Sequence, residues 1–260
     1  SVDPQVIYKT TGESVWKAII GGKKVLPGMR FPLRLEANGK EFTLTAEIKE
    51  KDGNIALVGF SADDPDIDFG TALGAIGKLP LPPYIKHEPT AMDYERYQTV
   101  YSLERGSVAA PTAGLHFTDS ILDELQSRGI ERCELILHVG PGTFKPIDTD
   151  VIDDFDMHGE RIFLTRDQVS QIVKHLESGI GPIVAVGTTS IRTLESAYWL
   201  GVSILEDRGY ARDGHFELPQ WEPYRTRIDQ PSALSAFKAI AEYMDSERIG
   251  ELPGVTHLLI

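Results

Sequence analysis

The chain has a single cysteine in 260 residues, Cys133, so no internal disulfide is available to it. That scarcity fits a reducing compartment, and a cytoplasmic location is the expectation. No window approaches the roughly 20 consecutive apolar residues that a membrane-spanning helix requires. No signal-peptide pattern is read in the first residues, and repeats and low-complexity tracts are missing as well. Positive charge is also short: 26 Lys and Arg stand against 39 Asp and Glu, a formal net charge of −13. Phosphate backbones are bound by Lys and Arg, so this balance excludes a generic nucleic-acid binder. The deficit is uneven. Through Pro89, 11 basic residues face 12 acidic ones, whereas the remainder holds 15 and 27. The first third is therefore the more permissive surface for a polyanion, and the acidic remainder favours a small cationic ligand.

What is present reads as a globular protein, 41% hydrophobic and 25% charged, with material for one large domain or two modest ones. The first third has the marks of β structure. Val15 to Ile20 and Met29 to Glu36 are strand-like, and the second runs into Asn38-Gly39, a strong hairpin signal. Glu41 to Ile48 alternates with period two, Asp52-Gly53-Asn54 makes another turn, and Ile55 to Phe60 follows. Short strands and tight turns predict a small antiparallel β-barrel or sandwich over residues 1–78. Phe69 to Ile76 is a short helix before the proline-rich stretch Leu79–Tyr84.

Beyond that stretch, strand and helix patterns alternate. Thr118 is placed to cap a helix through about Arg128, and Thr165-x-x-Gln168 is a capping box opening a helix through Leu176. Cys133 to Val139, Arg161 to Leu164 and Ile183 to Val186 read as strands, the last running into Gly187-Thr188-Thr189-Ser190 and a helix to about Gly201. This succession predicts a largely parallel sheet or an α/β barrel over residues 79–260. Residues 201–228 read as an aperiodic excursion, Ser232 to Arg248 as an amphipathic helix, and Val255 to Ile260 as a closing strand.

Four loops lie where such a fold turns at strand ends, the usual place for ligands. They are Ala110–His116, His138–Phe144, Met157–Glu160 and Gly187–Arg192. The last offers free backbone N–H groups, hydroxyls and a positive dipole end, with Arg192 as a fork for a carboxylate or phosphate. A plain cap at Thr189 or Ser190, with Arg192 paired to a surface acid, explains the same residues. Gly140-Pro141-Gly142 lacks the third glycine of a dinucleotide fingerprint and the Gly-Lys-Ser/Thr of a P-loop, so it is only a tight turn displaying His138 and Thr143. His116, His138 and His158 lack short ligand spacing, so no metal site is expected. The stretch Tyr97 to His116 is too irregular for a core element. Its small residues and Gly114 allow a ligand close to the backbone, with Thr112 and His116 as polar groups on a ledge stiffened by Pro111.

Taken together, Leu79–Ile85, Glu95–Tyr101, Gly106–Thr118, Leu137–Pro146, Met157–Glu160 and Gly187–Ser196 resemble, in order and spacing, the S-adenosylmethionine:tRNA ribosyltransferase-isomerase family of queuosine biosynthesis. The first third is similar to that family's small β-barrel insertion by pattern. The resemblance implies an α/β barrel-like catalytic domain. It implies transfer of the ribosyl part of S-adenosylmethionine to the aminomethyl group of a 7-deazaguanine at the tRNA wobble position. The ribose isomerises to an epoxycyclopentanediol, giving epoxyqueuosine, with release of adenine and methionine. No metal or redox cofactor is implied; S-adenosylmethionine is a substrate. It makes His116, His138, His158 and Glu160 the candidate acid/base groups. It makes Tyr97 and Tyr101 candidate walls for adenine or sulfonium, and Thr112, Gly114, Gly140, Gly142, Thr143, Thr188, Thr189 and Arg192 candidate substrate contacts. Segments of Asn-Asn-Thr-Arg-Val-Leu-Pro-Ala-Arg, Pro-Gly-Tyr-x-Phe and Asn-Phe-His-x-Pro-Lys-Ser type, usual in the family, are not in this chain. The expectation is a piece of a longer protein. A non-catalytic RNA-binding relative, and an unrelated α/β enzyme using the Gly187 loop for an anion, are the competing readings.

Overall fold

The computed structural model describes residues 8–21, 24–82, 85–102, 107, 109–140 and 149–260. The chain divides into two compact units, Ser1–Leu79 and Pro80–Ile260. In the first, strands β1 (Glu13–Ile19), β2 (Arg30–Ala37), β3 (Lys40–Asp52) and β4 (Ile55–Ala62) form an antiparallel sheet in the order β1-β4-β3-β2. The β2–β3 turn is Asn38-Gly39, both at positive φ (53° and 74°), the twist-matched geometry that this dipeptide favours. Period-two alternation puts Phe42, Leu44 and Ile48 on the buried face, and Val58 on β4, opposite Ile48, packs there with Ala56. Helix α1 (Phe69–Ile76) is capped by Asp68, whose carboxylate accepts from Thr71 N at 2.7 Å, and Phe69 joins Tyr8 and Trp16 in an aromatic stack.

The second unit carries the short helix α2 (Ala91–Arg96), a 3₁₀ turn at Thr112–His116, and α3 (Asp119–Ser127). These are followed by β5 (Ile136–His138), β6 (Glu160–Thr165), α4 (Arg166–Ser178), α5 (Gly187–Leu205), β7 (Ala211–Arg212), β8 (His215–Leu218), α6 (Ala233–Glu247) and β9 (Glu251–Thr256). The sheet order is β5-β6-β9-β8-β7. Thr118 caps its helix as the sequence predicts, the Thr165/Gln168 capping box forms in both directions, and Ser232 caps α6. Leu200, Ile240, Met244, Leu252, Ile162 and Leu164 are essentially solvent-free and form the centre of the core between α5, α6 and the sheet. Gly201 lets the two helices meet at backbone distance, because a Cβ there would lie 2.2 Å from the Ala236 carbonyl oxygen.

Several sequence expectations change here. The sheet is mixed, with β8–β9 its one parallel pair among the described residues, so a largely parallel sheet is not what forms. Neither sheet closes into a barrel among the described residues, and a mixed α/β architecture is what stands. Ile183 to Val186 is not a strand; Ile183 and Val184 are 45% and 78% exposed, with no ladder partner among the described residues. An apolar run without a neighbouring edge has nowhere to place its backbone hydrogen bonds as a strand. Among the described residues, Cys133 to Val139 pairs only over Ile136–His138. The stretch expected to be an aperiodic excursion holds the β7–β8 hairpin, whose Asp213-Gly214 turn (φ 50° and 70°) is a dipeptide that favours hairpins. The last strand is central in its sheet, between β6 and β8, and begins earlier than expected.

A pH effect follows from the α4–α6 contact. Arg166 donates to both carboxylate oxygens of Asp245, at 2.8 and 2.9 Å, and this pairing holds the Asp245 carboxyl below its ordinary value. A depressed folded-state value gives stability that is present above the unfolded carboxylate pKa and is lost as pH falls through the folded one. Asp245→Asn is therefore expected to flatten the acid limb of a melting-temperature profile. An unchanged acid limb in that variant would remove this contact from the account.

Candidate functional site

β5 leaves the sheet at His138 and β6 enters at Glu160, while β8 and β9 both leave at the same end, with Leu218 and Thr256 in register. The Met157–Glu160 turn therefore sits where three strands end. Glu160 is buried there, its side chain 3% exposed, and one carboxylate oxygen accepts from Arg192 Nη1. Arg192 is also buried, and its Nε and Nη2 donate to the Leu258 carbonyl, Nε at 2.7 Å. The other Glu160 oxygen lies 3.2 Å from His158 Nε2. With Nε2–H donating to that carboxylate, His158 presents Nδ1 as the acceptor nitrogen, and Nδ1 has no hydrogen-bond partner among the described residues. A polar line thus runs from the start of α5, through Arg192 and Glu160, to a half-buried imidazole. Charge buried this deeply persists only when it is paired and hydrogen-bonded.

Helix α5 begins with Val186 as its N-cap residue and no side-chain cap. Ser190 donates instead to the Val186 carbonyl at 3.0 Å, and Thr188 is exposed while Thr189 is half-buried. Neither half of the simpler alternative holds, because no hydroxyl caps this helix and Arg192 pairs with an interior acid. The 3₁₀ turn Thr112–His116 packs on this start, Ala113 Cβ lying 3.2 Å from where a Gly187 side chain would be. Thr112 and His116 are exposed on it, and Gly114 is buried. A side chain at Gly114 would collide with the Tyr101 hydroxyl and with Thr99, so the Tyr97–Tyr101 segment is locked to the turn by that glycine. Burial raises the Tyr101 phenol pKa above its ordinary value. Tyr97 ends α2 half-buried. His138 packs edge-on to Phe163 at 5.3 Å, and the next amide, Val139 N, donates to the Ser107 hydroxyl at 3.2 Å. Gly140 is half-buried; Gly142 and Thr143 lie outside the described residues. Among the described residues, no group of three or more His, Cys, Asp or Glu is placed to hold a metal ion. No helix of these residues is long and apolar enough to cross a membrane.

Loops distant in sequence thus connect by contact at one end of one sheet, and comparison with known proteins matches those same loops. A family model described as queuosine biosynthesis protein matches residues 4–216. The chain belongs to this queuosine biosynthesis family. It is 47% identical over 154 residues to the S-adenosylmethionine:tRNA ribosyltransferase-isomerase of Citrifermentans bemidjiense, covering 59% of this chain and 44% of that protein. It is 41% identical over 196 residues to the protein of the same description from Heliobacterium modesticaldum, covering 74% of this chain and 54% of the relative. The Thermosipho africanus protein, also so named, is 41% identical over 192 residues, covering 74% and 53%. The chain therefore spans about half the length of these curated relatives. No solved structure matches it.

Part of this family member's site escaped sequence reasoning. His257, on the residue after β9, places Nδ1 3.1 Å from the Met157 carbonyl and Nε2 3.3 Å from Glu217. Gly159 makes room for it, since a Cβ at that position would come within 3.0 Å of the imidazole. Gln220 clamps the same turn, accepting from Met157 N and donating to the Phe155 carbonyl, both at 2.8 Å. Neither residue belongs to a recognisable motif. The one usable signal was Gly159 itself, a small residue between His158 and Glu160.

Proposed function

We propose that this chain is the part of an S-adenosylmethionine-dependent tRNA ribosyltransferase-isomerase that carries its acid/base groups. On this reading the enzyme transfers and isomerises the ribosyl group of S-adenosylmethionine onto a 7-aminomethyl-7-deazaguanine wobble base, releasing adenine and methionine. The observation that supports it most is the Arg192–Glu160–His158 line, which joins two of the matching motifs through a buried carboxylate. A carboxylate fixed by an arginine orients the imidazole, whose other nitrogen, Nδ1, takes the proton acidified beside the sulfonium. His138 and His116 are the remaining candidates for keeping the attacking amine neutral and assisting adenine departure. Tyr97 and Tyr101 wall the adenosyl group, and Thr112, Gly114, Gly140, Gly142, Thr143, Thr188 and Thr189 contact substrate. Arg192, with its donors engaged by Glu160 and Leu258, positions Glu160 in this scheme and does not itself grip a ligand carboxylate. In this scheme S-adenosylmethionine is the ribosyl-donor substrate, and no metal or redox cofactor is invoked. The finer architecture we propose is the family's small β-barrel insertion followed by part of an α/β barrel, in a cytoplasmic protein.

The test is adenine release from S-adenosylmethionine in the presence of tRNA bearing the aminomethyl base. Release is expected, and His158→Asn is expected to lower its rate by about 10²-fold or more. Tight tRNA binding without any adenine release would favour a non-catalytic RNA-binding relative instead.

A further inference from the structure

A depression of about 540 Å³ opens beside the Met157–Glu160 turn, lined by Asp156, Tyr210, Glu217, Gln220, Trp221 and His257 among others. Its size is that of a small-molecule site, and its rim lies at the carboxyl ends of the parallel pair β8–β9, where open α/β sheets bind ligands. From this lining we infer that the depression binds an organic cation, a sulfonium or primary ammonium carried on an apolar or flat body. The inference draws its probes from the function proposed above, while its geometry stands apart from it.

The chemistry of the walls selects the charge. Among the described residues no Lys or Arg lines the depression, and the one basic ring among them, His257, is engaged by the Met157 carbonyl and the Glu217 carboxylate. Glu217 is otherwise exposed, and Asp156 is exposed with no partner among the described residues. An anion would meet two carboxylates and no free cation. A metal ion is not served either, because these side chains are not grouped to hold one. Trp221 adds the aromatic face. The residue is 40% exposed, and among the described aromatic rings its indole meets that of Tyr224, at 5.7 Å.

An exposed indole on a loose loop would mean little, but this one is held on both sides. Gln220 is buried with its amide bonded twice to the Phe155–Met157 backbone. Glu222 is fully buried, accepting from Tyr210 at 2.9 Å, Arg225 at 2.8 Å and Arg227. A tryptophan left in solvent between two such anchored neighbours is preorganised, so a cation seated against it requires no further ordering of the protein.

The test is isothermal titration of this chain with charged and uncharged pairs. One arm compares S-adenosylmethionine with S-adenosylhomocysteine; the other compares 7-aminomethyl- with 7-cyano-7-deazaguanine. We expect the cation to bind roughly five- to thirtyfold more tightly than its neutral partner in one arm, and that arm identifies the source. Trp221→Ala should abolish the preference. Asp156→Asn and Glu217→Gln, both at exposed positions that do not threaten folding, should each reduce it. Equal binding of charged and neutral probes in both arms, or a preference unchanged in all three variants, would overturn the assignment. Adenine release separates the two conclusions. Release alongside an unchanged preference leaves the enzymatic reading standing without this site, and cation preference without release does the reverse.

Discussion

Glu160→Ala is expected to destabilise the second unit by about 3–5 kcal/mol, far more than removal of a surface acid. The reason is the charge it leaves behind. Arg192 is 9% exposed at its side chain, and Glu160 is the only carboxylate among the described residues that it reaches. Without that partner, the guanidinium keeps the Leu258 carbonyl but sits as an uncompensated charge in the core. The double variant Glu160→Leu, Arg192→Met should recover much of the loss, since replacing both members of a buried pair with apolar groups is often near neutral. Urea denaturation of the single and double variants checks this. A single variant within about 1 kcal/mol of the parent would mean that water reaches the pair. Activity should separate from stability, because the double variant restores folding without restoring the carboxylate that orients His158.

The second large effect is expected at Glu222, in a stretch whose sequence carries no periodicity. Its side chain is fully buried among Tyr210, Arg225 and Arg227, and Arg227 lies over the Trp199 ring at 4.7 Å. Burial, followed by the Glu222 acceptor, raises the Tyr210 phenol pKa. Glu222→Ala should cost roughly 3 kcal/mol, because it removes the fully buried partner of Arg227, leaves it only the partly exposed Glu206 among the described carboxylates, and takes the acceptor from Tyr210. Glu206, which also accepts from Arg227 Nε at 3.0 Å but is partly exposed, should cost about 1 kcal/mol or less when replaced by alanine. Thermal melts of the two variants test this order. Equal losses at both positions would show that the network is solvated.

Local signals were legible wherever a short-range rule applies. Asn38-Gly39 turned the hairpin, Thr118 capped its helix, and Thr165 with Gln168 closed a capping box, each within a few residues of its partner. Pairing between distant segments was not legible. Ile183–Val186 carries the composition of a strand and lacks an edge to join, whereas His215–Leu218, only 4 residues long, finds one against β9. At the site, loops were recognisable one by one from their glycines, hydroxyls and histidines. Their internal partnerships were not, because Glu160 and Arg192 are 32 positions apart and His257 meets Met157 across 100.

The linear order of residues was enough to place the turns, the helix starts, the family and the set of polar side chains available for chemistry, since each of these depends on neighbours along the backbone. Folding alone decided which end of the sheet gathers them, that Arg192 turns inward to a carboxylate, and that Trp221 stays in solvent between buried neighbours. Those outcomes rest on desolvation and on hydrogen bonds between residues far apart in the chain, and such terms exist only once a core has formed to exclude water.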